Sequence, residues 1–312
     1  MRFPAALPWL RLARVPAVFT ALADIFAGFL LTHTHWQPLS TFFLLAGASA
    51  ALYLSGMVFN DVFDVSRDRR ERPGRPIPSG AISASSAAMF GSILMATGLA
   101  LAAGVGINSL WVAIILSLAI LLYDGGLKRT WLGPLSMGTC RFLNLLLGAS
   151  AAAETFPEIW AMPQIWVATA MGVYIIGVTW FARSEAGISP RLHLLGGLVV
   201  LNLGLLLLAS WILELPQYWG LQPGPVGADD TLPMLLFWGI VTISLNRRAI
   251  GAIADPQPRY VQGAVGLMLL SIITLDAMII YFRLGPAGLP FALTTLALIF
   301  PAMLLKRWIS MT

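Results

Sequence analysis

Long apolar stretches follow one another along almost the whole chain, separated by short polar segments. Each of ten stretches approaches the roughly 20 apolar residues that a helix needs to cross the hydrocarbon core of a bilayer. They cover residues 15–32, 39–59, 84–106, 107–123, 133–153, 163–182, 192–213, 231–246, 262–282 and 288–305. Because apolar and polar residues do not alternate within them, the stretches predict helices and not strands. The pattern therefore predicts an all-α membrane protein with ten spans.

The composition agrees with a membrane location. Hydrophobic residues make up 58% of the 312 residues and charged residues 11%, against roughly 25% charged residues in soluble domains, so a soluble enzyme is excluded. The net charge of +5 does not indicate nucleic-acid binding, since membrane proteins concentrate basic residues in cytoplasmic loops. The single cysteine, Cys140, excludes an intramolecular disulfide and a cysteine-rich metal site.

The positions of lysine and arginine predict the orientation. If the N-terminus is cytoplasmic, every basic residue except Arg283 falls on the cytoplasmic side, as the positive-inside rule requires. Both termini are then cytoplasmic, and the uncleaved multi-pass chain fits a bacterial plasma (inner) membrane. The sequence shows no soluble domain and no repeat, so we expect residues 1–312 to form one membrane domain.

The most specific signal is an acidic motif after the second apolar stretch, where the chain reads Asn60-Asp61-Val62-Phe63-Asp64-Val65-Ser66-Arg67-Asp68. If the second helix continues past Asn60, its amide and the carboxylates of Asp61, Asp64 and Asp68 share one face. Such a cluster at a membrane boundary suits Mg²⁺, which takes a few carboxylate oxygens together with phosphate oxygens. A solvated, salt-bridged helix end is the alternative, because arginines flank the acids.

This motif, followed by Arg-Pro-x-Arg-Pro-Ile-Pro-Ser-Gly at 72–80, resembles the first aspartate motif of the UbiA-type intramembrane prenyltransferases. Tyr123, Lys128 and Arg129 are similar to that family's diphosphate-binding segment. The resemblance implies a bundle of about nine helices around a central cavity open to the cytoplasmic face, so we expect nine to ten spans. It also implies Mg²⁺-dependent transfer of a prenyl group from a prenyl diphosphate to an aromatic or other lipophilic acceptor, within membrane lipid.

The family's second aspartate motif is expected after the sixth apolar stretch. The segment 179–187 has one carboxylate, Glu185, where two or more aspartates are usual, and in this it is similar to a divergent branch that includes EboC-like proteins. The sequence therefore leaves open whether a second Mg²⁺ binds. Glu185 is expected to contact that metal or to act as the general base for the acceptor; a loop acid paired with Arg183 is the alternative.

The resemblance and the residue chemistry together assign the site. The expected Mg²⁺ ligands are Asn60, Asp61, Asp64 and Asp68. The expected catalytic residues are Asp61, Asp64 and Glu185. The residues expected to bind substrate, which also include Asn60, are Arg72, Arg75, Tyr123, Lys128, Arg129, Arg141 and Asn144. Arginine suits bidentate contacts to phosphate, whereas lysine acts as a point charge.

Polar residues inside apolar stretches are costly and point to function or to contacts between helices. Arg141 and Asn144, one turn apart, are expected to face the same cavity as the diphosphate-binding lysine. Asp24 is expected to face the bundle interior or the acceptor, and Asp276 and Arg283 are expected to pair on one helical face.

Two other functions stay open. One is transfer of another group, such as a phosphoribosyl unit, from a diphosphate donor to a polyprenyl phosphate. The other is a non-catalytic lipid-binding or transport protein of the same fold, although carriers usually bind substrate midway across the membrane.

Overall fold

A computed structural model describes residues 7–161, 163–215 and 231–306, and these residues form helices without any strand. The helices are α1 (Leu7–Leu12), α2 (Val18–Thr32), α3 (Leu39–Phe63), α4 (Val65–Glu71), α5 (Ala84–Val105), α6 (Ile107–Gly125), α7 (Gly133–Ala149), α8 (Gln164–Ala182), α9 (Arg191–Ile212), α10 (Thr231–Ala254), α11 (Pro258–Leu284), α12 (Leu289–Ala297) and α13 (Ile299–Lys306). The all-α prediction is confirmed. Every predicted stretch contains a helix, and the last one contains two.

Seven helical segments among the described residues are long and apolar enough to cross a membrane. They comprise residues 15–32, α3, α5, α6, α8, α9 and the continuous segment 258–306. The chain is therefore a multi-pass membrane protein. The predicted count of nine to ten spans stays a prediction, since α7, with 17 residues, and α10 are not among the seven.

Helix α2 lies at the centre of the bundle. It packs against α3, α7 and α11, and most of its side chains are buried. Close approach to α7 depends on glycine, because a Cβ added at Gly148 would lie 2.7 Å from the carbonyl oxygen of Ile25. Small residues of this kind let membrane helices pack backbone to backbone. This packing brings the polar residues of α2 and α7 together.

Helices α8 and α9 form the most extensive helix pair of the described part of the chain. Three glycines lie at their contact. A Cβ at Gly197 would lie 2.6 Å from the backbone nitrogen of Phe181, and Cβ atoms at Gly177 and Gly204 would also meet the facing backbone. The pair can approach this closely only because these positions lack side chains.

We expect Gly177→Ala to lower the free energy of unfolding by about 1–3 kcal/mol, because the added methyl group pushes α8 away from the backbone of α9. Thermal unfolding in detergent measures the change. Gly251→Ala in α10 is the matched control, since its Cβ would meet no atom within 4 Å. Equal melting temperatures for the two variants would contradict this packing role.

Candidate functional site

A cavity of about 720 Å³ lies between α2, α3, α6, α7, α8 and α11. This volume lies within the range of small-molecule sites, roughly 300–1,000 Å³. Apolar side chains of α6, α8 and α11 line part of its wall: Leu116, Ile120, Ile175, Leu269 and Ile272. Most of the charged side chains of the wall lie where α3, α6 and α8 end or in the segments that follow them. The cavity therefore joins a charged region to an apolar chamber.

Most of the predicted site residues meet at this cavity. Those that line it are Asn60, Asp64, Asp68, Arg72, Arg75, Tyr123, Lys128, Arg129, Arg141, Asn144 and Glu185. Asp61 does not line the cavity and is buried behind its wall, with 3% of its surface exposed. Their roles as ligands or catalysts stay predictions, although one cavity gathers residues that are far apart in sequence.

The acidic motif spans a junction between two helices. Helix α3 ends at Phe63 and α4 begins at Val65, so Asp64 lies between them. Backbone hydrogen bonds continue across the junction, because Asp64 N donates to Asn60 O at 3.1 Å and Asp68 N donates to Asp64 O at 2.8 Å. The nearly continuous helical path keeps Asn60, Asp64 and Asp68 on the cavity wall, whereas Asp61, which was predicted to share their face, does not line the cavity.

Two arginines hold the buried carboxylates of this motif. Arg75 Nη1 donates to Asp61 Oδ1 at 3.1 Å and to Asp68 Oδ2 at 2.6 Å, and Arg14 Nη2 donates to Asp61 Oδ1 at 2.9 Å. The sequence did not single out Arg14 as a site residue. It has a left-handed backbone conformation with φ 46°, which is uncommon for a residue other than glycine. This turn leads from α1 into α2 and places the side chain at the motif.

Lys128 and Arg129, from the segment after α6, hold the other part of the motif. Lys128 Nζ lies 2.8 Å from both Asn60 Oδ1 and Asp64 Oδ2, and Arg129 Nη2 donates to Asp64 Oδ1 at 2.8 Å. Burial by itself would raise the pKa of Asp64, but the hydrogen bonds from Lys128 and Arg129 outweigh it and lower the pKa below its ordinary value. Asp64 is therefore ionised at neutral pH.

Glu185 lies just beyond the end of α8 and lines the cavity. Burial raises its pKa, although the charges of Arg72 and Arg14 partly oppose the rise. Its Oε2 is buried without a hydrogen-bond partner, and the alternative, an ion pair with Arg183, is not formed among the described residues. A carboxylate with a raised pKa binds a proton more readily, so a cavity carboxylate of this kind is suited to act as a general base.

Arg141 and Asn144 connect helices as well as lining the cavity. Arg141 Nε lies 2.9 Å from Asp24 Oδ2, and Arg141 Nη2 donates to Thr20 O at 3.0 Å. Asn144 Nδ2 donates to Asp24 Oδ2 at 2.9 Å, and Ser49 Oγ donates to Asn144 Oδ1 at 2.7 Å. These contacts join α2, α3 and α7. Arg141 and Asn144 therefore form the contacts between helices that were one of the two explanations for polar residues in apolar stretches. Their contact with substrate stays a prediction.

The predicted pair of Asp276 and Arg283 is wrong. Asp276 is fully buried and lies close to Asp24, although neither of its carboxyl oxygens has a hydrogen-bond partner among the described residues, whereas Arg283 Nε donates to the carbonyl of Leu31 at 3.0 Å. Helix α11 passes alongside α2, so both residues face α2 and contact it at different levels. Packing between helices has overridden the spacing within one helix.

The oxygens of the acidic motif suit a hard cation, and they converge in pairs. Asn60 and Asp64 converge on one lysine nitrogen, and Asp61 and Asp68 converge on one arginine nitrogen. Among the described residues, no three acidic, histidine or cysteine side chains converge as a metal site. Carboxylate and amide oxygens are ligands that Mg²⁺ accepts. The donor set fits this ion, and ligation by these four residues stays a prediction.

Comparison with known sequences identifies related proteins. A family model described as the UbiA prenyltransferase family matches residues 21–249. The digeranylgeranylglyceryl phosphate synthase of Metallosphaera sedula is 37% identical over 149 residues, covering 47% of this chain and 52% of that protein. The synthase of the same name from Saccharolobus solfataricus is 31% identical over 144 residues, covering 46% and 51%. The chain thus spans about half the length of these curated relatives.

Two solved structures share the fold. A UbiA homologue from Aeropyrum pernix K1 superposes with a TM-score of 0.65 at 20% identity, covering 84% of this chain and 96% of that one. A structure described as giving insights into digeranylgeranylglyceryl phosphate synthase in membranes superposes with a TM-score of 0.60 at 18% identity, covering 94% and 99%. At these identities the likeness concerns the helical fold alone.

We expect Arg141→Met to lower the free energy of unfolding by about 3–5 kcal/mol, because it leaves Asp24 buried without its cation. Denaturant unfolding in detergent measures the loss, and Asp24→Asn added to the same chain should restore part of it. The control is Arg67→Met, which breaks an exposed pair with Glu71 and should cost less than about 1 kcal/mol. Equal losses in the two arginine variants would show that the buried pair does not support the fold.

Proposed function

Because the chain belongs to the UbiA prenyltransferase family, we propose that it transfers a prenyl group from a prenyl diphosphate to a lipid acceptor in the membrane, with Mg²⁺. The observation that carries this proposal is the cavity itself. It places an oxygen-rich acidic motif and a set of arginine and lysine side chains beside an apolar chamber. A donor with an anionic diphosphate and a hydrocarbon chain has the same two-part character.

The cations of the site suit the leaving diphosphate. Arg75, Lys128 and Arg129 all line the cavity, and charge-assisted hydrogen bonds from them would stabilise the negative charge that grows as the allylic bond breaks. Mg²⁺ held by the acidic motif would supply further charge neutralisation. The aspartates orient these cations, since each of the three contacts at least one aspartate.

The apolar chamber suits the prenyl chain. Loss of diphosphate exposes an allylic cation, which water would capture if it had access. Side chains such as Ile175, Leu269 and Ile272 from two different helices would surround the chain and exclude water. We propose that the chain lies against this wall, with its first carbon near the acidic motif.

We propose an acceptor that carries a glyceryl phosphate group. The relatives' name describes a glyceryl phosphate with two geranylgeranyl groups, which does not support an aromatic acceptor. Arg72 and Arg183 line the cavity, and neither forms an ion pair within the described parts of the chain. They are therefore available to an acceptor phosphate.

Glu185 is the proposed general base. In the transfer, the acceptor oxygen forms a bond to the first prenyl carbon, and the bond from that carbon to the diphosphate oxygen breaks. The diphosphate leaves with the bonding electron pair, and the proton of the acceptor hydroxyl passes to the Glu185 carboxylate. Its position in the cavity wall and its raised pKa support this role.

We propose that the site faces the cytoplasm of a cell whose plasma membrane holds the protein. The site contains the basic segments around Arg72, Lys128 and Arg183, and positive-inside topology places such segments on the cytoplasmic side. Both termini are proposed to lie on that side. Residues 1–6 and 307–312 are outside the described residues, so this orientation rests on the sequence.

Purified protein in detergent should release diphosphate and form a prenylated lipid when given geranylgeranyl diphosphate, Mg²⁺ and a glyceryl phosphate ether lipid with a free hydroxyl. We expect Asp64→Asn to lower the rate about 10²- to 10³-fold, since this carboxylate positions Lys128 and Arg129. Glu154→Gln, which alters an exposed acid that does not line the cavity, is the control. Product formation and diphosphate release are measured together.

The substrate arms of this assay separate the candidate functions. A matched acceptor without phosphate should react poorly if Arg72 and Arg183 bind the acceptor phosphate. Turnover with phosphoribosyl diphosphate and a polyprenyl phosphate would show that the protein transfers a phosphoribosyl group and not a prenyl group. Equal rates for wild type and Asp64→Asn, or no turnover with any pair, would overturn the proposed activity.

The transfer rate should rise with pH through the raised pKa of Glu185, because the base accepts a proton only when it is ionised. Glu185→Gln should lower the rate and remove this acid limb of the pH profile. Single-turnover rates measured from about pH 4, near the ordinary pKa of glutamate, up to neutral pH, with saturating donor, check the prediction. An acid limb that persists in Glu185→Gln would assign the base to another group.

A further inference from the structure

Every carboxylate of the acidic motif is paired with a cation from the chain itself. The same Arg75 nitrogen lies between Asp61 and Asp68, at 3.1 Å and 2.6 Å. Asp64 accepts from two different cations, one on each oxygen, at 2.8 Å. The motif is therefore electrically compensated by arginine and lysine.

Two of these cations, Arg75 and Lys128, have little freedom to turn away into water, whereas the Arg129 side chain is 54% exposed. The side chains of Arg75 and Lys128 are 16% and 11% exposed, and the aspartates that they contact are between 4% and 14% exposed. Charged groups removed from water must keep an opposite charge nearby. Arg75 and Lys128 can leave the aspartates only if another anion receives them.

From this arrangement we propose that the cations of the site are exchanged between two anions, so that metal and diphosphate bind together and not the metal first. In this exchange the side chains of Arg75, Lys128 and Arg129 move from the aspartates to the diphosphate oxygens. The carboxylates that they release then become available to the metal. The inference rests on the proposed prenyl diphosphate site and concerns its order of binding.

Electrostatics favours this exchange over metal binding alone. A divalent ion entering by itself would come within a few ångströms of Lys128 and Arg75, and like charges at that distance repel strongly in a partly buried site. A diphosphate brings negative charge and several acceptor oxygens for the same N–H groups. The number of charge-assisted hydrogen bonds is then maintained while the aspartates change partners.

The exchange predicts opposite effects of one substitution on two ligands. Lys128→Gln removes a cation that competes with the metal, so Mn²⁺ alone should bind at least about tenfold more tightly than it binds to wild type. The same variant should bind inorganic pyrophosphate more weakly, since it lacks a phosphate contact. If Lys128 only bound the donor, its replacement by glutamine would not increase the affinity for metal alone.

The experiment uses the full chain in detergent, with Mn²⁺ in place of Mg²⁺. Retention of Mn²⁺ by the protein is measured by ultrafiltration and by electron paramagnetic resonance, with and without inorganic pyrophosphate. Wild type should retain Mn²⁺ strongly only when pyrophosphate is present, and Asp64→Asn should retain little in either condition. Arg75→Gln is a second variant with the expectation of Lys128→Gln, and Arg70→Gln, an exposed arginine on α4, is the matched control.

The outcomes separate this inference from the proposed function. Equal Mn²⁺ retention by wild type with and without pyrophosphate would overturn the exchange and leave the donor site intact. The exchange would also be overturned, with the donor site left intact, if Lys128→Gln and Arg75→Gln bind Mn²⁺ without pyrophosphate no more tightly than Arg70→Gln does. If wild type retains neither ligand in any combination, both the exchange and the proposed prenyl diphosphate site are wrong.

Discussion

The arrangement of the site depends on one constraint, namely that carboxylates withdrawn from water at a membrane boundary need cations close by. Three separate segments supply these cations to the acidic motif. Arg14 comes from the turn before α2, Arg75 from the segment after α4, and Lys128 and Arg129 from the segment after α6. Pairing therefore also fixes the loops around the cavity mouth. The same groups that hold these loops are the ones that a phosphorylated ligand would contact.

Much of the fold could be predicted because each helix is determined by residues that are adjacent in the sequence. Apolar stretches of about 20 residues specify helices wherever they occur, and the acidic motif covers only about two and a half helical turns around Asp64. Glycine-mediated contacts such as Gly197 against Phe181 could not be predicted in this way. They depend on which two helix faces meet, and one sequence contains no direct record of that.

The same distinction explains which site residues were missed or misassigned. Arg14 donates a hydrogen bond to Asp61, which is 47 positions away in the sequence. Nothing in the sequence distinguished Arg14 from the other arginines predicted to be cytoplasmic. Asp276 and Arg283 share a helical face and therefore suggested a pair, yet both contact α2. Spacing within a helix predicts which residues share a face, whereas tertiary packing decides their partners.

The glycine contacts between α8 and α9 have a mechanical consequence. Where two backbones touch without intervening side chains, the helices can neither slide nor separate by small rotamer changes, so α9 holds α8 rigidly in its place in the cavity wall. A ligand with a long hydrocarbon chain still has to enter and a larger product has to leave. The movement that widens the cavity would then come from the other helices that line it, namely α2, α3, α6, α7 and α11.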